Sequence, residues 1–93
     1  MIVIIKSAPD TPEGKRGVSL ARDMSSDICL IQNAVYFTQK GRLEGFSGTV
    51  YVLDEDMKLR GITPDMAGKG IIEIDYDGLV DLVTGKEKVV GVL

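Results

Sequence analysis

The sequence predicts an α/β fold, a parallel sheet with helices on its faces, and three observations predict it. Short apolar runs alternate along the chain with segments of helical spacing, which is the pattern of βαβ units joined by right-handed crossovers. The opening run Met1-Ile2-Val3-Ile4-Ile5 is apolar throughout and does not alternate, as expected of a strand covered on both faces. Finally, Val50 to Gly61 spells out one strand-to-helix passage: the β-formers Val50-Tyr51-Val52-Leu53, the acidic triplet Asp54-Glu55-Asp56, and a short helical pattern closing on Gly61. The acids fall where the unpaired N–H groups of a new helix need acceptors, and Gly61 falls where its last turn needs a left-handed residue.

The elements follow in order. Met1 to Ile5 is far shorter than a membrane span and has neither a basic leader nor a small-residue cleavage site, so it reads as the first strand. Ser7 to Gly17, with two prolines, two glycines and four charged residues, reads as a surface loop entering a helix. That helix occupies Val18 to Met24, with Val18, Leu20, Ala21 and Met24 along one side, and ends at Ser25-Ser26-Asp27. Ile28-Cys29-Leu30-Ile31 is the second strand, and Ala34 to Gln39 a short helix with Ala34, Val35 and Phe37 facing inward. Lys40 to Gly48 is a glycine-containing loop, and Ile62 to Gly70 a Pro- and Gly-containing connector after the central unit. Ile71 to Asp75 is the fourth strand. Tyr76 to Thr84 is a helix whose apolar side is Leu79, Val80, Leu82 and Val83, stopped by Gly85. The Val-rich run from Glu87 to Leu93, interrupted by Gly91, is a marginal fifth strand.

Bulk properties narrow the function. A chain of 93 residues with 44% hydrophobic and 27% charged residues is expected to form one globular domain over residues 1–93. A net charge of -3 and a pI near 4.8 supply no basic field, which disfavours direct nucleic-acid binding. The single cysteine excludes an intrachain disulfide framework and a Cys-rich metal site, and fits a cytoplasmic address. The absence of histidine removes the usual general base, the commonest metal ligand and any Ser-His or Cys-His arrangement within the chain. No cofactor and no metal are expected.

The candidate site residues each have a plain structural reading. Cys29, inside a covered strand, should behave as a small buried hydrophobe with a raised pKa; as a persulfide or redox cysteine it would need a strand end beside a helix N-terminus. Asp54, Glu55 and Asp56 follow one strand, and Asp75 and Asp77 another, so both groups would reach the carboxyl edge where open α/β sheets bind ligands. A magnesium or phosphoacceptor pocket is conceivable there, against the favoured reading as helix caps and first-turn acids. Gly45-Phe46-Ser47-Gly48-Thr49 precedes a strand and lacks the last glycine of a nucleophile elbow, and Ala67-Gly68-Lys69-Gly70 lacks the spacing of a phosphate loop. Lys15, Arg16 and Arg22 form a small positive cluster, by default a solvated face, with an acidic partner as the alternative. Tyr36, Phe37 and Phe46, if exposed together, would mark a protein interface.

Three stretches carry a family likeness: Leu30-Ile31-Gln32-Asn33-Ala34-Val35; Val50-Tyr51-Val52-Leu53-Asp54-Glu55-Asp56 with Arg60-Gly61 and Thr63; and Ile72-Glu73-Ile74-Asp75-Tyr76 with Leu79, Val80 and Leu82. In order and spacing they resemble the DsrH/TusB family of small sulfur-relay proteins, with a weaker echo at Lys6-Ser7-Ala8-Pro9. The resemblance implies a three-layer α/β/α, DsrEFH-like fold with a predominantly parallel sheet of about five strands. It further implies assembly with TusC/DsrF-like and TusD/DsrE-like subunits, and persulfide transfer toward tRNA 2-thiouridine or dissimilatory sulfur metabolism. In such assemblies the transferring cysteine belongs mainly to the TusD-like subunit. Some DsrH members carry a cysteine in the first helix, where this chain has Val18 and Ser19, so no cysteine role transfers to Cys29. The leading expectation is a noncatalytic subunit of a sulfur-relay complex. The rivals are a sulfurtransferase using Cys29 as persulfide acceptor, and a self-associating ligand-binding module using the carboxyl edge near Asp54 and Asp75.

Overall fold

The structure, a computed structural model, describes residues 1–39, 41–63, 65, 70–85 and 88–93. Strands β1 (Ile2–Ile5), β2 (Asp27–Leu30), β3 (Val50–Leu53), β4 (Ile71–Ile74) and β5 (Val89–Val92) form one sheet in the order β4-β3-β2-β1-β5. Every neighbouring pair is parallel. Helix α1 (Pro12–Asp23), a 3₁₀-helix (Gln32–Thr38), helix α2 (Asp54–Leu59) and helix α3 (Tyr76–Thr84) make the connections. The chain steps outward from β1 to β4 beneath the first three of these, then returns through α3 to place β5 beside β1.

Alternation along the strands divides the interior into two faces. Val3, Ile5, Ile28, Leu30, Val50 and Val52 point to one side, where Val18 and Ala21 of α1, Ala34, Val35 and Phe37 of the 3₁₀-helix and Met57 of α2 complete a buried cluster. Ile2, Ile4 and Cys29 point to the other, against which Tyr51, Ile74, Leu79 and Leu82 are partly buried. The molecule is therefore a three-layer α/β/α fold, with α3 alone forming the third layer among the described residues. No helix among them is long and apolar enough to cross a membrane.

One element begins well before the sequence suggested. Helix α1 starts at Pro12, so Gly14 and Gly17 lie inside it and not in a loop. Thr11 is its N-cap, its hydroxyl accepting the Gly14 N–H at 3.1 Å, with Pro12 in the first turn and Glu13 following. The two glycines that looked like breakers are close-approach positions: a Cβ at Gly14 would stand 2.1 Å from the Ala8 carbonyl oxygen, and one at Gly17 2.8 Å from Cγ1 of Ile5. At a cost in helix propensity, the missing side chains let α1 lie directly on β1 at Gly17 and on the loop that follows β1 at Gly14. The short helix after β2 is a 3₁₀-helix and buries Ala34, Val35 and Phe37 as their spacing predicted, with Thr38 in addition. Gly61 has a φ of +67°, the left-handed stop expected of α2. The Ala67-Gly68-Lys69-Gly70 stretch lies, apart from Gly70, outside the described residues.

Candidate functional site

Parallel pairing of β3 and β4 sets Leu53 against Ile74, so Asp54 and Asp75 leave the sheet at the same carboxyl edge. Two of the acids near that edge, Asp75 and Asp56, have structural tasks. The Asp75 side chain caps α3, accepting the Gly78 N–H at 2.8 Å. Asp56, only 7% exposed, does not cap its own helix as the sequence suggested. Its Oδ2 accepts the N–H of Gln32 at 2.7 Å across 24 residues of chain. Gln32 has a φ of +51°, an uncommon conformation for a residue with a Cβ, and the carboxylate holds it there. Arg60 Nη1 lies 3.5 Å from Asp56 Oδ1, and Arg60 Nε donates to Asn33 Oδ1 at 3.1 Å. This clamp between the end of β2 and α2 was not visible in the sequence, where Asp56 read as a helix cap or first-turn acid.

Among the described residues, no three carboxylates or thiols gather as metal ligands. The strand order reverses between β1 and β5, the position where open α/β sheets form their crevice. Ser7 Oγ donates there to the Leu93 carbonyl at 2.6 Å. Asp54 and Asp75 stand at the opposite side of the sheet.

Cys29 sits on the central strand β2, between Ile4 of β1 and Tyr51 of β3. It is 0% exposed, and burial pushes its thiol from an ordinary 9.0 up to about 11. Nucleophilic attack needs the thiolate, and this environment disfavours it. Although Cys29 is only one residue from the end of β2, it is enclosed by Ile2, Ile4, Ile31, Tyr51, Ile74, Leu79, Leu82 and Val89, and burial is the cause of its shift.

The layer over that thiol is thin. None of the residues of α3 is buried. Leu79 and Leu82 turn toward the sheet, whereas Val80 is 53% and Val83 40% exposed, contrary to the single inward-facing apolar side that the sequence suggested. With Tyr76, 55% exposed, they form an i, i+4, i+7 stripe on the outside of the helix. Ile72 of the edge strand, 45% exposed, lies on the same side of the sheet. Ile4, Cys29, Tyr51 and Ile72 are paired in register across four strands, and burial falls off from Cys29 through half-buried Tyr51 to exposed Ile72. The aromatics that the sequence offered as interface markers are not exposed together, since Phe37 is buried and Tyr36 and Phe46 pack against the first cluster.

Residues 15–89 match the family model described as DsrH-like protein. The chain belongs to the DsrH family. Two solved structures resemble this DsrH-family chain over nearly its whole length. The ychN protein from E. coli aligns with a TM-score of 0.77 at 17% identity, covering 99% of this chain and 96% of its own. Protein Tm0979 from Thermotoga maritima aligns with a TM-score of 0.65 at 26% identity, covering 98% of this chain and 100% of its own. The first likeness is one of fold alone. No curated protein gives a significant match. Two of the three stretches that carry the DsrH resemblance meet in space, because the Asp56 and Arg60 side chains bind Gln32 and Asn33.

Proposed function

We propose that this DsrH-family chain is a noncatalytic subunit of a cytoplasmic sulfur-relay complex, holding TusC/DsrF-like and TusD/DsrE-like partners while a partner cysteine carries the persulfide. Membership of the DsrH family supports this reading. The observation that carries the noncatalytic reading is the position of its single sulfhydryl: Cys29 is closed off in the sheet with its pKa raised. The exposed stripe of Tyr76, Val80 and Val83 supplies apolar surface for a partner, of the kind enriched at the cores of protein interfaces.

Co-expression with the DsrE-like and DsrF-like proteins of the same genome tests this reading. A complex that survives size exclusion is expected, in which incubation with a loaded cysteine desulfurase adds about 32 Da, one persulfide sulfur, to the partner and none to this chain. Elution of the three proteins as separate species, or a sulfur adduct on this chain that disappears in Cys29→Ser, would contradict it.

A further inference from the structure

The sequence marks Lys15, Arg16 and Arg22 as a positive cluster, and the fold sorts them. Lys15, Ser19 and Arg22 recur at i, i+4 and i+7 along one side of α1, facing the 3₁₀-helix and the loop that follows it. Arg42 reaches the same place from that loop, and Val18 and Phe37 form the apolar base of a depression of about 300 Å³. Arg16 does not line it.

No carboxylate lines this depression, and among the described residues none pairs with Lys15, Arg22 or Arg42. In a chain of net charge -3 that local excess of cations is unexpected. Both guanidinium groups are nevertheless held in place. Arg22 Nη2 donates to the Glu44 main-chain carbonyl at 3.2 Å, and Arg42 Nε donates to Gln39 Oε1 at 3.0 Å. Each acceptor is neutral, so the groups are oriented without losing their charge and keep further N–H donors free. The side chains thus give up part of their conformational freedom in the unliganded chain, which reduces the entropy lost when an anion binds.

We infer that Lys15, Ser19, Arg22 and Arg42 form a binding site for a phosphate monoester group. Guanidinium forks match the tetrahedral oxygens of phosphate, Lys15 adds a point charge and the Ser19 hydroxyl a neutral donor. The volume lies at the lower limit of small-molecule sites and suits one compact dianionic group over an extended polyanion. The site is on the α1 layer, on the opposite side of the sheet from α3, and does not depend on the sulfur-relay reading.

Titration of the ¹⁵N-labelled chain with inorganic phosphate and with glycerol 3-phosphate, at constant ionic strength, provides the test. Saturable amide shifts are expected at Ser19, Arg22 and Arg42, and the tighter of the two probes distinguishes an ester from free phosphate. Replacing Lys15→Gln and Arg42→Gln together, both exposed positions, should weaken binding about ten-fold or more, while Arg16→Gln should leave it unchanged. Shifts linear up to the highest concentration, or equal weakening by Arg16→Gln, would overturn the assignment. So would saturation by a hexaglutamate peptide with no response to either phosphate probe, which would assign the depression to a carboxylate-rich protein segment. Spectra of the variants without ligand report whether the fold is retained, and Arg42→Gln alone repeats the test if the pair is perturbed.

Discussion

The two faces of the sheet are built from the same strands yet are closed to very different degrees. Among the described residues, the face covered by α1, the 3₁₀-helix and α2 has a buried cluster of thirteen, helix residues included, whereas beneath α3 the corresponding cluster is Ile2, Ile4 and Cys29. Alternating residues of a parallel strand are equally apolar on both sides, so the difference comes from what covers them. Helix α1 presses on Ile5 of β1 through Gly17 and on the loop at Ala8 through Gly14, while α3 keeps half-exposed valines on its outer side. On this account the first face carries most of the stability of the isolated chain, and the proposed partner would complete the second.

The most severe test of this contrast is a matched truncation on each side. Ile28→Ala, in the closed cluster, is expected to cost about 2–5 kcal/mol in chemical denaturation. Leu82→Ala, under the thin layer, should cost less than half as much, because Leu82 is only partly buried and its surroundings can collapse around the gap. Equal losses would remove the distinction.

Next in size is the clamp that ties α2 to the end of β2. Asp56→Ala leaves the Gln32 N–H without its acceptor and Gln32 in an uncommon backbone conformation, an expected loss of about 2–3 kcal/mol. Urea unfolding measures it directly. A change below about 0.5 kcal/mol would mean that water replaces the carboxylate freely.

Alkaline titration asks how dry the thin face is. The unfolded chain releases the Cys29 proton near 9.0 and the folded chain near 11. Below the lower value both states are protonated and the group contributes no pH dependence. As pH rises between the two, the unfolded state binds fewer protons, so stability falls, by about 2–3 kcal/mol in all. Cys29→Ala should flatten this part of the stability profile relative to the unaltered chain. Parallel profiles would show that water already reaches the thiol.

The smallest effect on stability is expected at the outer stripe. Val80→Lys on an exposed helix surface should change the unfolding free energy by no more than about 0.5 kcal/mol, yet prevent co-purification with the DsrE-like and DsrF-like subunits. A variant that unfolds readily would instead show Val80 to be part of the intrinsic core.

Much of this was legible in the residues. Strand identity follows from unbroken apolar runs such as Ile2 to Ile5, and α3 from the spacing of Leu79 and Leu82, because those patterns reflect burial that each segment needs wherever it packs. The start of α1 was hidden because Pro12, Gly14 and Gly17 have two meanings: they interrupt a helix in isolation, and they begin one or let it approach a strand in the fold. Only the position of Ala8 and Ile5 distinguishes these. The Asp56–Gln32 bond spans 24 residues and leaves no periodic trace. For the same reason the meeting of Arg42 with Lys15 and Arg22 could not be read from a cluster confined to α1. On α3, Val80 and Val83 matched an inward side as well as Leu79 and Leu82 did, since hydrophobicity records the need for cover and not which chain provides it.

Amide hydrogen exchange along α1 and α3, in the isolated chain and in the co-purified assembly, bears most directly on whether the α3 face is completed by a partner. In the isolated chain α3 is expected to exchange faster than α1, and assembly should slow α3 and the edge strand β4 while leaving α1 unchanged. If α3 is already as protected as α1 in isolation, or if its exchange is the same in the assembly, the partner surface lies elsewhere on the molecule.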